Sequence, residues 1–271
     1  MYIAVLLGLM SAMSADAAGW QTLAPGMELA EFVAGKASLV GDSRITVVRI
    51  DPELWELEFT GVSLTGEATG HTAREWCQSH NLTAAINAGM FGPDNKTHIG
   101  FLRSDGHVNC GRVNNYQSVA AFDPRGGPDL APFRIFDLDA PVVSMKRILK
   151  EYAAAVQNMR LLKRPGRNVW SRQDKQWSEA ALGEDDAGRI LFIFCRSPYS
   201  MRDLNHELLA SGIGLVAAQH LDGGPVAQMY VAAGGREVEL VGSYETEFYE
   251  TDQNETAWPI PNVIGVRPKP K

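Results

Sequence analysis

Asp222 stands between an apolar run, Leu215-Val-Ala-Ala-Gln-His-Leu221, and the turn residues Gly223, Gly224 and Pro225. A carboxyl fixed at the end of a strand can move a proton, and adjacent glycines let backbone amides approach a ligand closely. The same segment also suits a tight turn in which Asp222 only accepts backbone N–H bonds. Burial would raise its pKa and amide donors would lower it, so its protonation stays open at this point. Asn87 ends a second apolar run and precedes Ala88-Gly89-Met90-Phe91; its amide either orients a ligand or builds an Asx-turn. Arg160 has the fork that clamps a phosphate or carboxylate, although an arginine in such a place is more often solvated. The six histidines show no H-x-x-x-H or H-E-x-x-H spacing, and nucleophile-elbow and Walker signatures are absent. No metal and no cofactor is therefore expected.

The elements that must position these residues are read from periodicity. Ile190-Leu-Phe-Ile-Phe-Cys195 is continuously apolar, as in a strand covered on both faces. Ser200 can cap a helix whose face carries Met201, Leu204, Leu208 and Leu209, and Gly212 and Gly214 break it before Leu215–Leu221. Strand, helix, strand at this spacing predicts a βαβ unit with parallel strands. Ligands of such units gather beyond the carboxyl ends of the strands. Those ends carry Arg196–Ser200 and Asp222–Pro225, and the strand at 83–87 would add Asn87–Phe91, so three loops are expected to line one crevice.

Earlier in the chain, Arg44–Ile50 and Leu54–Thr60 read as an antiparallel pair joined by the turn Asp51-Pro52-Glu53. Thr72-Ala-Arg-Glu75 has capping-box spacing and opens a helix through about Ser79. A hairpin is expected over 99–110, about the turn Ser104-Asp105-Gly106. Ser144 would cap a helix with Met145, Ile148, Leu149, Tyr152 and Val156 on one face. Residues 123–132 read as a loop, and 163–189 carry no clear pattern. The fold class expected is α/β (mixed α+β): one domain, a mixed twisted sheet flanked by helices, ending in the βαβ unit.

Two segments taken together resemble the phosphodiester glycosidase family. Ala85-Ile-Asn-Ala-Gly-Met-Phe91 resembles its Ala-Ile-Asn-Gly-Gly-Phe-Phe, and His220-Leu-Asp-Gly-Gly-Pro225 is similar to its Asn-Leu-Asp-Gly-Gly-Gly-Ser. The strand and helix between them follow in the family's order, and the likeness runs over about 40–266. Residues 1–17 would then be a signal peptide, 18–39 an extension and 40–266 the glycosidase-like domain. Departures are Ala88, Met90-Phe91 and Gly223-Gly-Pro-Val226. The family's Arg-Thr-Ala-Ile-Gly aligns with Glu179-Ala-Ala-Leu-Gly183, an acid in place of the arginine.

The resemblance implies a divergent bacterial hydrolase that cleaves the glycosidic bond of a phosphodiester-linked sugar. Asp222 would be its acid/base or electrostatic stabiliser. Asn87, Gly89, Phe91, Arg160, Arg196, Gly223 and Gly224 would bind substrate. Glycoside hydrolysis commonly needs two carboxyl groups, and Glu207, Asp94 and Glu179 are equal candidates for the second. The altered motifs also suit a non-catalytic module that binds a sugar or an envelope polymer.

Composition narrows the setting. The 271 residues are 45% hydrophobic and carry a net charge of −7, which disfavours nucleic-acid partners, since phosphate contacts need a basic face. Tyr2–Met10 is a short apolar run followed by Ala15-Asp16-Ala17, an A-x-A pattern that reads as a secretory signal cleaved after Ala17. The run is too short for a bilayer span. A periplasmic or secreted protein without stable membrane insertion is expected. In that setting Cys77 and Cys110 are free to pair, which leaves Cys195 in its apolar strand.

Overall fold

The computed structural model describes residues 19–127 and 129–270. The segment read as a signal peptide lies outside them. Strands hold 45% and helices 13% of the chain, so the fold is mixed but dominated by sheet. Strand pairings build an 11-stranded and a five-stranded sheet, and every one of them is antiparallel.

The two expected strands of the βαβ unit are β12 (Ile190–Tyr199) and β13 (Leu215–Gly223), joined by α4 (Met201–Ala210). They run the same way but do not pair with each other. Between them lies β11 (Trp177–Asp185), antiparallel to both. This corrects the parallel pairing expected from spacing. The continuous apolar run reports burial on two faces, whatever the direction of the neighbours. Ile190, Phe192 and Phe194 of β12 face the core between the sheets, while Leu191, Ile193 and Cys195 face the side covered by Leu204 and Leu208 of α4.

The larger sheet continues outward from β12 through β3 (Arg44–Ile50) and β2 (Met27–Val33) to β1 (Gln21–Ala24). Residues 18–39 thus carry two strands of that sheet, and Met27 and Leu29 are core residues. On its other side β13 pairs with β10 (Tyr152–Leu162), which also pairs with β6 (Leu102–Ser104) and β8 (Ser118–Pro124). The expected hairpin forms between β6 and β7 (His107–Cys110), and β8 goes on to β9 (Phe133–Asp137).

The smaller sheet has the order β15 (Arg236–Val241), β14 (Gln228–Ala233), β5 (Ala84–Asn87), β16 (Asn262–Pro268), β4 (Trp55–Gly61). Its inner face brings Phe59, Ile86, Met229, Val231, Ile264 and Val266 to the shared core. Its outer face is covered by α2 (Ala73–His80), whose Trp76 and Cys77 pack with Ala85, Tyr230 and Val263. The capping box closes as expected, with Thr72 and Glu75 exchanging both hydrogen bonds.

Three expectations need correction. β3 and β4 do not pair, because they belong to different sheets. The turn between them is real, with Asp51 Oδ1 accepting from the Glu53 amide at 2.9 Å, but it acts as a corner from one layer to the other. The helix capped by Ser144 is α3 (Met145–Glu151) and ends before Tyr152, where β10 begins. Tyr152, Ala154 and Val156 are as regular at period two as Ile148, Tyr152 and Val156 are at the helical period. Lastly, Cys77, Cys110 and Cys195 are all free thiols: Cys77 is buried under α2, whereas Cys110 lies on β7. Among the described residues, no helix is long and apolar enough to cross a membrane.

Candidate active site

Antiparallel packing brings the start of β11 beside the end of β13, so Glu179 sits opposite Gly223 and Ala180 opposite Asp222. A bulge in this ladder falls between Ala180 and Ala181. The chain then turns through a short 3-10 segment, Gly224–Val226, into β14. The loop after β15 returns over this corner, where Tyr244 O accepts from the Ser178 amide at 2.8 Å and Thr246 N donates to Gln176 O at 3.0 Å. That return places Glu245 against Gly224.

Glu179, His220 and Asp222 are all buried. His220 Nδ1 and Glu179 Oε1 are 2.7 Å apart, and Trp177 Nε1 donates to Glu179 Oε2 at 2.7 Å. The indole also meets the imidazole edge to face, with centroids 5.7 Å apart. Burial opposes a charge on His220, but the carboxyls of Glu179, Asp222 and Glu245 outweigh it and hold its pKa above the ordinary value.

Asp222 Oδ1 accepts from the Gly223 amide at 2.9 Å, while Oδ2 is buried with no hydrogen-bond partner. Burial pushes its pKa up to about 7, with Glu245 and Glu179 adding to the rise against the pull of His220 and the amide. Burial also raises Glu245. Among the described residues, the Glu245 carboxyl has no hydrogen-bond partner. Gly224 has φ +62, and a Cβ there would lie 2.4 Å from Glu245 Oε2, so only glycine admits both the turn and the carboxyl.

The residues expected to bind substrate separate into two groups. Asn87 joins the corner: its Nδ2 donates to Val226 O at 2.9 Å and its Oδ1 accepts from Gln228 N at 2.7 Å. Both ends of its amide thus tie β5 to the segment after Gly224. Gly89 packs against β10, where an added Cβ would meet Asn158 Oδ1 at 2.2 Å and His98 Cε1 at 2.4 Å. Phe91 packs with the cluster under α2 and bridges to His98. Gly223 lies against the Trp177 ring.

Arg160 and Arg196 are engaged elsewhere. Arg160 lies on β10 rather than after a helix, and its Nη1 is held by Asp139 at 2.8 Å and Asp137 at 3.2 Å. Arg196 is used up by three backbone carbonyls, of Val241, Asp252 and Asn254, and by the Asp252 carboxylate at 2.8 Å. Of the three candidates for a second carboxyl, Glu207 accepts the Gly35 amide at 2.6 Å and Asp94 closes a turn onto Thr97. Glu179 alone joins Asp222. The sequence reading missed His220 as a partner of Glu179, and it missed Glu245 altogether. Glu245 sits in a polar, aromatic loop with no periodicity, and only the returning chain reveals its place.

The family profile for phosphodiester glycosidase matches residues 80–267, a span holding Asn87, Glu179, His220, Asp222 and Glu245. No curated protein matches the chain. The fold is similar to the catalytic domain of zebrafish N-acetylglucosamine-1-phosphodiester alpha-N-acetylglucosaminidase, solved in a form auto-inhibited by its pro-peptide. The TM-score is 0.62 at 15% identity, over 93% of this chain and 87% of that one. A hypothetical protein from Synechocystis is similar with a TM-score of 0.59, also at 15% identity, over 93% of this chain and 64% of the other. With the Asp-Gly-Gly corner and the Asn87 segment both inside the matched span, the chain belongs to the phosphodiester glycosidase family.

Proposed function

We propose that the protein is a glycoside hydrolase in which Asp222 protonates the glycosidic oxygen. The observation that carries this reading is a buried carboxyl whose Oδ2 lacks any partner and whose pKa is raised to about 7. Such a group holds its proton up to about pH 7 and, among the described residues, its Oδ2 has no hydrogen-bond partner to take it. Proton transfer to the glycosidic oxygen lets the carbon–oxygen bond break, with its electron pair leaving on the aglycone. Glu245, half-buried and unpartnered among the described residues, is the carboxyl suited to deprotonate the attacking water. Glu179 holds His220 in place, and the positive imidazole supports the charge that grows on Asp222 as its proton leaves.

The family and the zebrafish relative's name suggest a phosphodiester-linked sugar as substrate. The signal-like residues 2–17 support an exported, periplasmic or secreted enzyme.

The test is turnover of a panel of glycosides and sugar 1-phosphodiesters across pH. Activity should require Asp222 protonated and Glu245 ionised, which gives a bell with its alkaline limb near pH 7. Asp222→Asn keeps the shape and should lower kcat by about 10²–10⁴-fold. Binding without turnover by the wild-type protein would replace this reading with that of a non-catalytic sugar-binding module.

A further inference from the structure

We infer that the open edge of β10 binds an acidic saccharide, at a site separate from the corner of Asp222. The inference goes beyond the glycosidase reading and does not depend on it. β8 ends its pairing at Ser118, opposite Asn158, so among the described residues that edge of β10 has no partner strand from Met159 onward. Two depressions, of about 270 and 370 Å³, lie there. They are joined by the ion pairs of Arg160, which lines the first, with Asp137 and Asp139, which line the second.

The first depression suits a sugar ring. Tyr116 and Trp170 line it beside the amides of Asn115 and Gln117. Trp170 Nε1 donates to Arg160 O at 2.9 Å, which holds the half-buried indole in place. Among the described residues, the Tyr116 hydroxyl and the Asn115 side chain make no hydrogen bond. Aromatic faces beside unengaged polar groups match the mixed C–H and O–H surface of a saccharide.

The second depression is cationic, in a chain whose net charge is −7. Arg134, Lys163, Arg164 and Arg167 line it. The buried Glu184 carboxylate accepts from the Ile135 amide at 2.7 Å, from Arg134 Nη1 at 3.2 Å and from Arg164 Nη2. One acid thus anchors two guanidinium groups and leaves them a surplus of positive charge. Lys163 and Arg167 are brought together by a tight turn in which each amide donates to the other's carbonyl, at 3.0 and 2.6 Å. Lys163 is paired with Asp139, whereas Arg167 is exposed and makes no ion pair among the described residues. With Arg160 the group holds five cations and three carboxylates. A carboxylate, sulfate or phosphate on the saccharide would complete it.

Calorimetry on the intact chain at pH 7 and low salt tests this with trigalacturonate, a hyaluronan tetrasaccharide and a heparin tetrasaccharide, beside neutral chitotetraose and inorganic phosphate. At least one acidic oligosaccharide should bind with a Kd below about 1 mM. It should bind at least about tenfold tighter than chitotetraose or phosphate, and added salt should weaken it. Arg167→Gln changes an exposed side chain without a partner, so it should leave the melting temperature unchanged and weaken that binding about threefold. Tyr116→Ala should weaken it by about the same factor, and Asp222→Asn should bind as the wild type does. No binding of any acidic compound, equal binding of phosphate or chitotetraose, or acidic binding that Arg167→Gln and Tyr116→Ala both leave untouched overturns the inference. Binding lost in Asp222→Asn places the ligand at the corner and overturns it as well. Absence of turnover on every glycoside removes the glycosidase reading and leaves this site standing.

Discussion

The role proposed for Asp222 works against the stability of the fold around it. Its folded pKa of about 7 lies above the ordinary aspartate value, because burial disfavours the charged form. Between those two values the folded chain binds more protons than the unfolded one, so the stability contributed by the neutral carboxyl is complete below about pH 4 and is lost as pH rises through about 7. Asp222→Asn removes that loss. Denaturant midpoints of the two proteins should therefore diverge in favour of the variant from pH 4 to 7 and run parallel above it. A constant offset at all pH values would mean that the carboxyl titrates alike in the folded and unfolded chain. His98 has the opposite sign: burial lowers its pKa to about 4, so its contribution is lost as pH falls from about 6.5 toward 4.

At the scale of elements, the corner between β13 and β14 depends on a glycine that accommodates Glu245. Gly224→Ala meets a left-handed backbone, which costs a residue with a Cβ about 1–2 kcal/mol, and it also pushes the Glu245 carboxyl away. A loss of stability of that order, with a larger fall in turnover than stability explains, is expected from thermal melts and kcat measured on one preparation. Much of this corner could be read in the sequence. β12, α4, β13 and the Asp222-Gly-Gly turn follow from two-faced apolar runs, a serine cap and glycine breaks.

The strand between them could not be read. β11 has polar ends, with Glu179 held by His220 and Trp177 at one and Glu184 held by Arg134, Arg164 and the Ile135 amide at the other. Buried acids whose charged partners lie 20 or more residues away look like loop acids in a linear reading. The parallel unit expected around them was an antiparallel trio for the same reason. Arg160 and Arg196 misled in the reverse sense, since their partners, Asp137, Asp139 and Asp252, have no local pattern that marks them as taken.

For the whole molecule, the layers extend beyond the matched family span. β1 and β2 carry Leu23, Met27 and Leu29 into the core, and Arg49 of β3 stacks over the Trp20 ring at 3.7 Å. A chain begun at residue 40 would forfeit about 1.5–3 kcal/mol for each such buried side chain, comparable in sum to the usual margin of about 5–15 kcal/mol. It should unfold at much lower denaturant than a chain begun at residue 18, or aggregate through the bared edge of β3; urea titration and light scattering report both. The order of the smaller sheet carries a consequence of another kind. Its last strand in sequence, β16, is an interior one, wedged between β5 and β4, with Val263 opposite Asn87. A chain leaving the ribosome presents β4 and β5 long before their common neighbour. Until residues 262–268 arrive, the Asn87 strap has no clamp and the two sheets have no closed core between them. The smaller sheet, and the corner tied to it through Asn87, therefore close only after the last strand has been made.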